Sequence, residues 1–414
     1  MPERPLLVFP IARRIDPEAG RSRQVKGPHV PDRGRQVQRL APQVAALQED
    51  FQRYGASIQQ TVDGLEPETV LVIEIAGSVD DFKQAVDSTE GLEWLGEWDT
   101  EDVADEDFYE VNSRDERTAK PVSGRLFASM TNEAGMRELL GLWQTWQQGG
   151  RLPRGRTKWR DVFAQTRVIR RWGIEETLDE TGIVERWREL LAPIHGDGTV
   201  PCQIELFYRQ RSERRRANEA VVRQLVADLG GAPLGDFIDM PDINFHAVKV
   251  GLPAARVRDL ITALDAGAHN LDFQLFNFRG VMYFRPTGQA IPAVDGAAAE
   301  PAEFSAEVQA LPPVAAILDG VPNIQHAALR ERLLLDDAFD LARLYQPGER
   351  RHGSAIASLV VQGEQPGGDS ALARLVYHIP VLQPDEHARG FGRRREHVPD
   401  TAFLEDRIER AVRR

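Results

Sequence analysis

A chain of 414 residues exceeds one ordinary domain, and at roughly 100 to 200 residues per domain it predicts two to four. Its 42% apolar and 28% charged residues exclude the composition of a disordered protein. A net charge of −13 argues against whole-surface affinity for nucleic acid, although the basic residues are 46 arginines against five lysines.

The N-terminal MPERPLLVFPIARRIDPE holds an apolar patch too short for a membrane span and lacks a small-residue cleavage site. No run of 18 apolar residues follows, so the expected location is cytoplasmic. Residues 1–65 read as an N-terminal arm and helix: a Gly/Pro/Arg-rich stretch from Arg14 to Arg35, then a helical pattern in VQRLAPQVAALQEDFQRY.

Residues 66–150 form the next expected unit. ETVLVIEIAG is β-branched and reads as a strand, and SVDDFKQAVDSTEGLEWL reads as a helix opened by a Ser78/Asp81 capping box. A further strand around FYEVN, a strand in SGRLFASMT and a helix in NEAGMRELLGLWQTWQQ complete an order that predicts a ferredoxin-like α+β sandwich. Residues 151–199 read as a helical linker, with helices over 158–171 and 181–193.

The segment 200–290 repeats the order. QIELFYR is a strand, 212–229 a charged helix, DFIDM and FHAVKVGL strands, PAARVRDLITAL a helix and VMYFRP a strand, giving a second βαββαβ sandwich. The lone cysteine, Cys202, sits in the first of these strands and reads as a core residue; a single cysteine excludes an internal disulfide and a multi-cysteine metal site. Five arginines between Arg209 and Arg216 read as a solvated helix face. Residues 291–312, rich in Ala, Pro and acids, have the composition of a linker.

After the linker, PVAAILDG is a short continuous apolar run closed by Asp319 and a glycine. Buried parallel strands have this pattern, and functional residues gather at their C-terminal ends. Thirty-three residues later RRHGSAIASLVVQG places His352 at the start of a helix with a small-residue face, where a glycine admits close backbone approach.

Together, ILDG and HGSAIASLV resemble the aspartate and histidine motifs of the subtilase family of serine proteases, in that family's chain order. Subtilisin-type chains separate the two residues by about 32 positions. His326 and Leu329 in NIQHAAL match the family's His-x-x-Leu turn, with His326 read as structural. ARLVYHIPVL resembles the strand after the histidine helix, and FLEDRIERAVRR the helix after that. The resemblance covers 313–414. It departs where Gly320 follows Asp319 directly, a place usually held by Ser or Thr, and at Ala355, where many members have histidine.

The element orders and the resemblance together predict an α/β chain: two βαββαβ ferredoxin-like sandwiches, read from the order of elements, followed by a partial subtilisin-like parallel-sheet domain, read from the resemblance. The resemblance implies peptide-bond hydrolysis, with His352 as general base and Asp319 orienting the imidazolium. The family's serine lies about 157 residues beyond the histidine, and no Gly-Thr-Ser-x-Ala element occurs in this sequence. Ser354, Ser358 and Ser370 stand in or just after the histidine helix.

The expectation is therefore an incomplete serine endopeptidase, truncated before its serine and inactive alone. It would take a protein or peptide substrate and a separate polypeptide for the serine half, with no cofactor, metal, membrane or nucleic-acid partner. The 200–290 unit would resemble a subtilase propeptide. The alternative is a non-catalytic regulatory or interaction protein with a remnant subtilase segment.

Overall fold

The computed structural model describes residues 28–61, 67–77, 79, 82–179, 181–267, 274–288, 290–291, 313, 315–327, 329–363, 372–386 and 394–413. Most of the Arg-rich arm, the Ser78/Asp81 capping box, residues 292–312 of the linker and Ser370 lie outside them. The protein is α/β, as expected, and divides into two units, the first ending at Arg171 and the second running from Trp172. Among the described residues no helix is long and apolar enough to cross a membrane.

The first unit contains α1 (Arg33–Thr61), β1 (Thr69–Ala76), α2 (Phe82–Asp87), β2 (Leu92–Asp102), β3 (Val122–Thr131), α3 (Glu133–Gln147), α4 (Lys158–Gln165) and β4 (Thr166–Arg171). Its sheet is antiparallel with order β2-β3-β1-β4. The apolar β1 lies between two partners, and Leu71, Ile73 and Ile75 join one core with Phe127, Phe82 and Trp159. Leu40, Val44, Leu47 and Phe51 of α1 belong to the same core, so this helix is part of the sandwich's packing.

Three expectations fail here. The segment 158–171 is a short helix followed by a strand, because the β-branched TRVIRR pairs with Leu71–Ile75 of β1 and turns Ile169 into the core. It supplies the fourth strand from inside the supposed helical linker. The helix expected over SVDDFKQAVDSTEGLEWL spans only Phe82–Asp87, and Leu92 begins β2. FYEVN makes only isolated bridges, since the Asp105 carboxylate accepts the amides of Asp107 (2.8 Å) and Phe108 (2.7 Å) and bends the chain there.

The second unit opens with α5 (Ile183–Leu191), then β5 (Thr199–Leu206), α6 (Ser212–Asp228), β6 (Ala232–Pro233), β7 (Ile238–Met240), β8 (Phe245–Pro253), α7 (Ala254–Asp265), α8 (Gln274–Asn277) and β9 (Val281–Arg285). β5 is central, between β8 and β9, and β6 and β7 both pair with β8. Cys202 is fully buried and burial pushes its thiol pKa up, so it is a core residue as read. Within the arginine-rich stretch Arg211 and Arg216 are exposed, while Arg215 pairs with Asp239 at 2.8 Å and stacks on Tyr208; farther along α6, Arg223 lies over Phe237.

The remaining elements are β10 (Ala290–Ile291), β11 (Ala316–Asp319), β12 (Leu333–Leu335), α9 (Arg351–Gln362), β13 (Val376–Pro380), β14 (Gln383–Pro384), β15 (Glu396–His397) and α10 (Leu404–Val412). β11, β13 and β12 form a parallel sheet with β13 central, and β15 pairs antiparallel with β10 and β14. A small core of Ile317, Leu329, Ala357, Val361 and Val376 ties β11, α9 and β13 together.

Side chains alternate across a strand, so Gln203 and Lys249 face away from Cys202 and Val248. That polar face is nonetheless covered. Lys249, 4% exposed, donates to the Ala402 carbonyl at 2.5 Å and lies over the Phe403 ring, and Gln203 reaches Glu405 at 3.5 Å. Burial lowers the Lys249 pKa to about 8.

Because the folded value lies below the unfolded 10.5, the native chain has lost a proton that the unfolded chain keeps. Stability from this group is gained as pH rises between those values and lost as pH falls through about 8. Relative to Lys249→Met, the wild-type chain should gain resistance to urea across pH 8 to 10.5. Parallel urea curves for both proteins would contradict this.

Candidate active site

Asp319 is the last residue of β11, at the C-terminal edge of the parallel sheet, where functional residues gather in parallel α/β sheets. It is 6% exposed. Its carbonyl accepts the Val381 amide at 2.8 Å, which fixes the strand end. Its Oδ1 accepts the Gly320 amide at 2.8 Å and the His352 Nδ1–H at 3.0 Å.

His352 is the second residue of α9 and is half-buried. The Asp319 contact, assisted by the charge on Glu396 and opposed by burial, holds its pKa above the ordinary histidine value. With Nδ1–H committed to Asp319, Nε2 is the nitrogen free to take a proton. Among the described residues it has no hydrogen-bond partner.

The helix reaches this position because Gly353 carries no side chain. A Cβ there would stand 2.4 Å from the Gly320 carbonyl oxygen and 2.8 Å from its carbon. Ser354 fastens the same joint: its hydroxyl donates to the Arg350 carbonyl at 2.5 Å and accepts the Asn323 amide at 2.8 Å. It therefore serves packing, not attack. His326 is exposed in the turn after β11, where its carbonyl accepts the amides of Leu329 and Arg330, in keeping with a structural role.

Three further groups complete the surroundings. His378 of β13 is fully buried and its Nε2–H donates to the Gly320 carbonyl at 2.8 Å; burial lowers its pKa. Glu396 of β15, 5% exposed, places Oε2 3.4 Å from His352 Nδ1. Tyr345 sits with its hydroxyl 2.6 Å from Glu396 Oε1 and 3.0 Å from the Leu382 carbonyl.

Nothing in the sequence singled out Glu396. It lies 44 positions beyond His352 in RRREHVPD, which carries no periodic signal. One donor atom each from Asp319, His352 and Glu396 lie within 4.8 Å of one another, near enough to hold a divalent ion. The contacts favour a shared proton instead, because Nδ1 is bonded to Asp319 and Glu396 Oε1 to Tyr345.

No family model, curated protein or solved structure matches this chain.

Proposed function

We propose that Asp319 and His352 are the orienting carboxylate and the general base of a subtilisin-type serine endopeptidase acting on protein or peptide substrates, here in an incomplete form inactive alone. The nucleophilic serine would come from a separate polypeptide. The observation that carries this reading is the 3.0 Å bond from His352 Nδ1 to the buried Asp319 at the end of a parallel strand, with Nε2 left available. In the reaction, Nε2 takes the proton of an attacking serine hydroxyl and returns it to the leaving amine, while Asp319 holds the tautomer and stabilises the imidazolium. The propeptide-like role of the 200–290 unit is supported by the closure of its polar sheet face with residues 402–405.

A fluorophosphonate probe tests the reading. The chain alone should not label, whereas a polypeptide bearing Gly-Thr-Ser-x-Ala, added to it, should label in a manner abolished by His352→Ala and unaffected by Ser354→Ala. Absence of labelling in every combination, or labelling that ignores His352, would leave a non-catalytic regulatory protein as the better reading.

A further inference from the structure

Gly320 has no backbone reason to be glycine, since it is not among the residues with positive φ. What a side chain at 320 would meet is the carboxyl of Glu396. A Cβ built on Gly320 would lie 1.8 Å from Glu396 Oε1, 2.5 Å from its carboxyl carbon and 2.9 Å from Oε2. The carboxyl thus occupies the space that a side chain at 320 would take, directly beside Asp319.

Glu396 is held there from both ends. Its backbone pairs with Ile291 and Pro384 in the small antiparallel sheet, and its side chain is anchored by Tyr345. Tyr345 has one hydroxyl hydrogen but two acceptors beside it, Glu396 Oε1 at 2.6 Å and the Leu382 carbonyl at 3.0 Å. The Tyr345 hydroxyl donates to Glu396 Oε1, the shorter of the two contacts, and so holds the carboxylate in place. Oε2 then remains as an acceptor facing His352 Nδ1 at 3.4 Å.

We propose that Glu396, seated over Gly320 and anchored by Tyr345, is a positioning residue that gives the His352 imidazole a second carboxyl beside Asp319. The proposal rests on the reading of His352 as the catalytic base, which it deepens. Burial raises the Glu396 pKa, with Tyr345 and His352 opposing. The groups acting on this pair are Asp319 on β11 and Tyr345 and Glu349 ahead of α9.

Two measurements on the full chain test the proposal without any nucleophile. The first is a double-substitution cycle in thermal unfolding. Gly320→Ala should lower Tm by roughly 5–10 °C in the wild-type background, where the new methyl displaces a buried carboxyl, and by under about 2 °C in Glu396→Ala. Equal losses in both backgrounds would overturn the proposed fit.

The second follows the His352 titration by NMR in histidine-labelled protein, assigned with His352→Gln. Glu396→Gln, which keeps shape but removes the charge, should lower the His352 midpoint. An unmoved midpoint overturns the positioning role even if Gly320→Ala fails to fold. Zinc or manganese that raises the wild-type Tm, with the gain lost in Glu396→Ala, would assign the trio to a metal and also overturn it. Both measurements are blind to fluorophosphonate labelling, so failure of the protease reading and failure of this proposal are separately visible.

Discussion

Asp319→Asn is expected to lower the titration midpoint of His352 and, in a complex completed by a serine, to slow probe acylation by about 10⁴-fold, the scale of loss known for this substitution in a serine-protease triad. The cause is local. Asp319 Oδ1 accepts both the Gly320 amide and the His352 Nδ1–H. An asparagine that keeps its oxygen in this place preserves the bonds but removes the charge favouring imidazolium, and one that flips presents N–H to N–H.

The stability consequence has a definite sign. The folded His352 pKa is raised, first by the Asp319 hydrogen bond, so the pair's contribution is fully present below the ordinary value near 6.5. It is lost as pH rises through the raised value. Urea unfolding of the wild-type chain should therefore show a downward slope across that window which Asp319→Asn flattens. An unchanged NMR midpoint for His352 in Asp319→Asn would remove the basis of the proposed function.

The parts of the fold legible in the sequence are those governed by local pattern. The apolar run ending at Asp319, the small-faced helix opened by His352, and the β-branched run of β1 each carry their own periodicity, and each lies where expected. The missed strand β4 shows the opposite case. Arg167, Arg170 and Arg171 give TRVIRR a charged face that mimics continuation of α4, and only its pairing with β1 decides for strand.

Glu396 was illegible for a stronger reason. Its role depends on the missing side chain of Gly320, 76 positions earlier, and on a two-residue strand that no period can reveal. The glycine after Asp319 was visible as a departure from the subtilase pattern. What filled its space was not.

The remaining large effect is expected at Gly353. Its backbone is helical with no positive φ, so on propensity alone Gly353→Ala should stabilise α9 by about 1 kcal/mol. Packing opposes this. The added carbon would meet the Gly320 carbonyl oxygen at 2.4 Å, its carbon at 2.8 Å and the Val321 carbonyl carbon at 3.0 Å. These are backbone atoms that cannot rotate aside, and Gly320 is further pinned by the His378 hydrogen bond to its carbonyl.

Overpacking of this kind costs roughly 3 kcal/mol, which exceeds the propensity gain and leaves a net loss near 2 kcal/mol. Tm should fall by about 4–8 °C. Because the strain is relieved by moving α9 away from Gly320, the His352–Asp319 contact should lengthen and the His352 midpoint should fall toward the ordinary histidine value. Gly141, in the middle of α3 with no atom within 4 Å of its added Cβ, supplies the contrast. Gly141→Ala should raise stability by up to about 1 kcal/mol. The same substitution thus changes sign between two helices, and a stabilising Gly353→Ala would show that α9 does not approach Gly320 closely enough for His352 to reach Asp319.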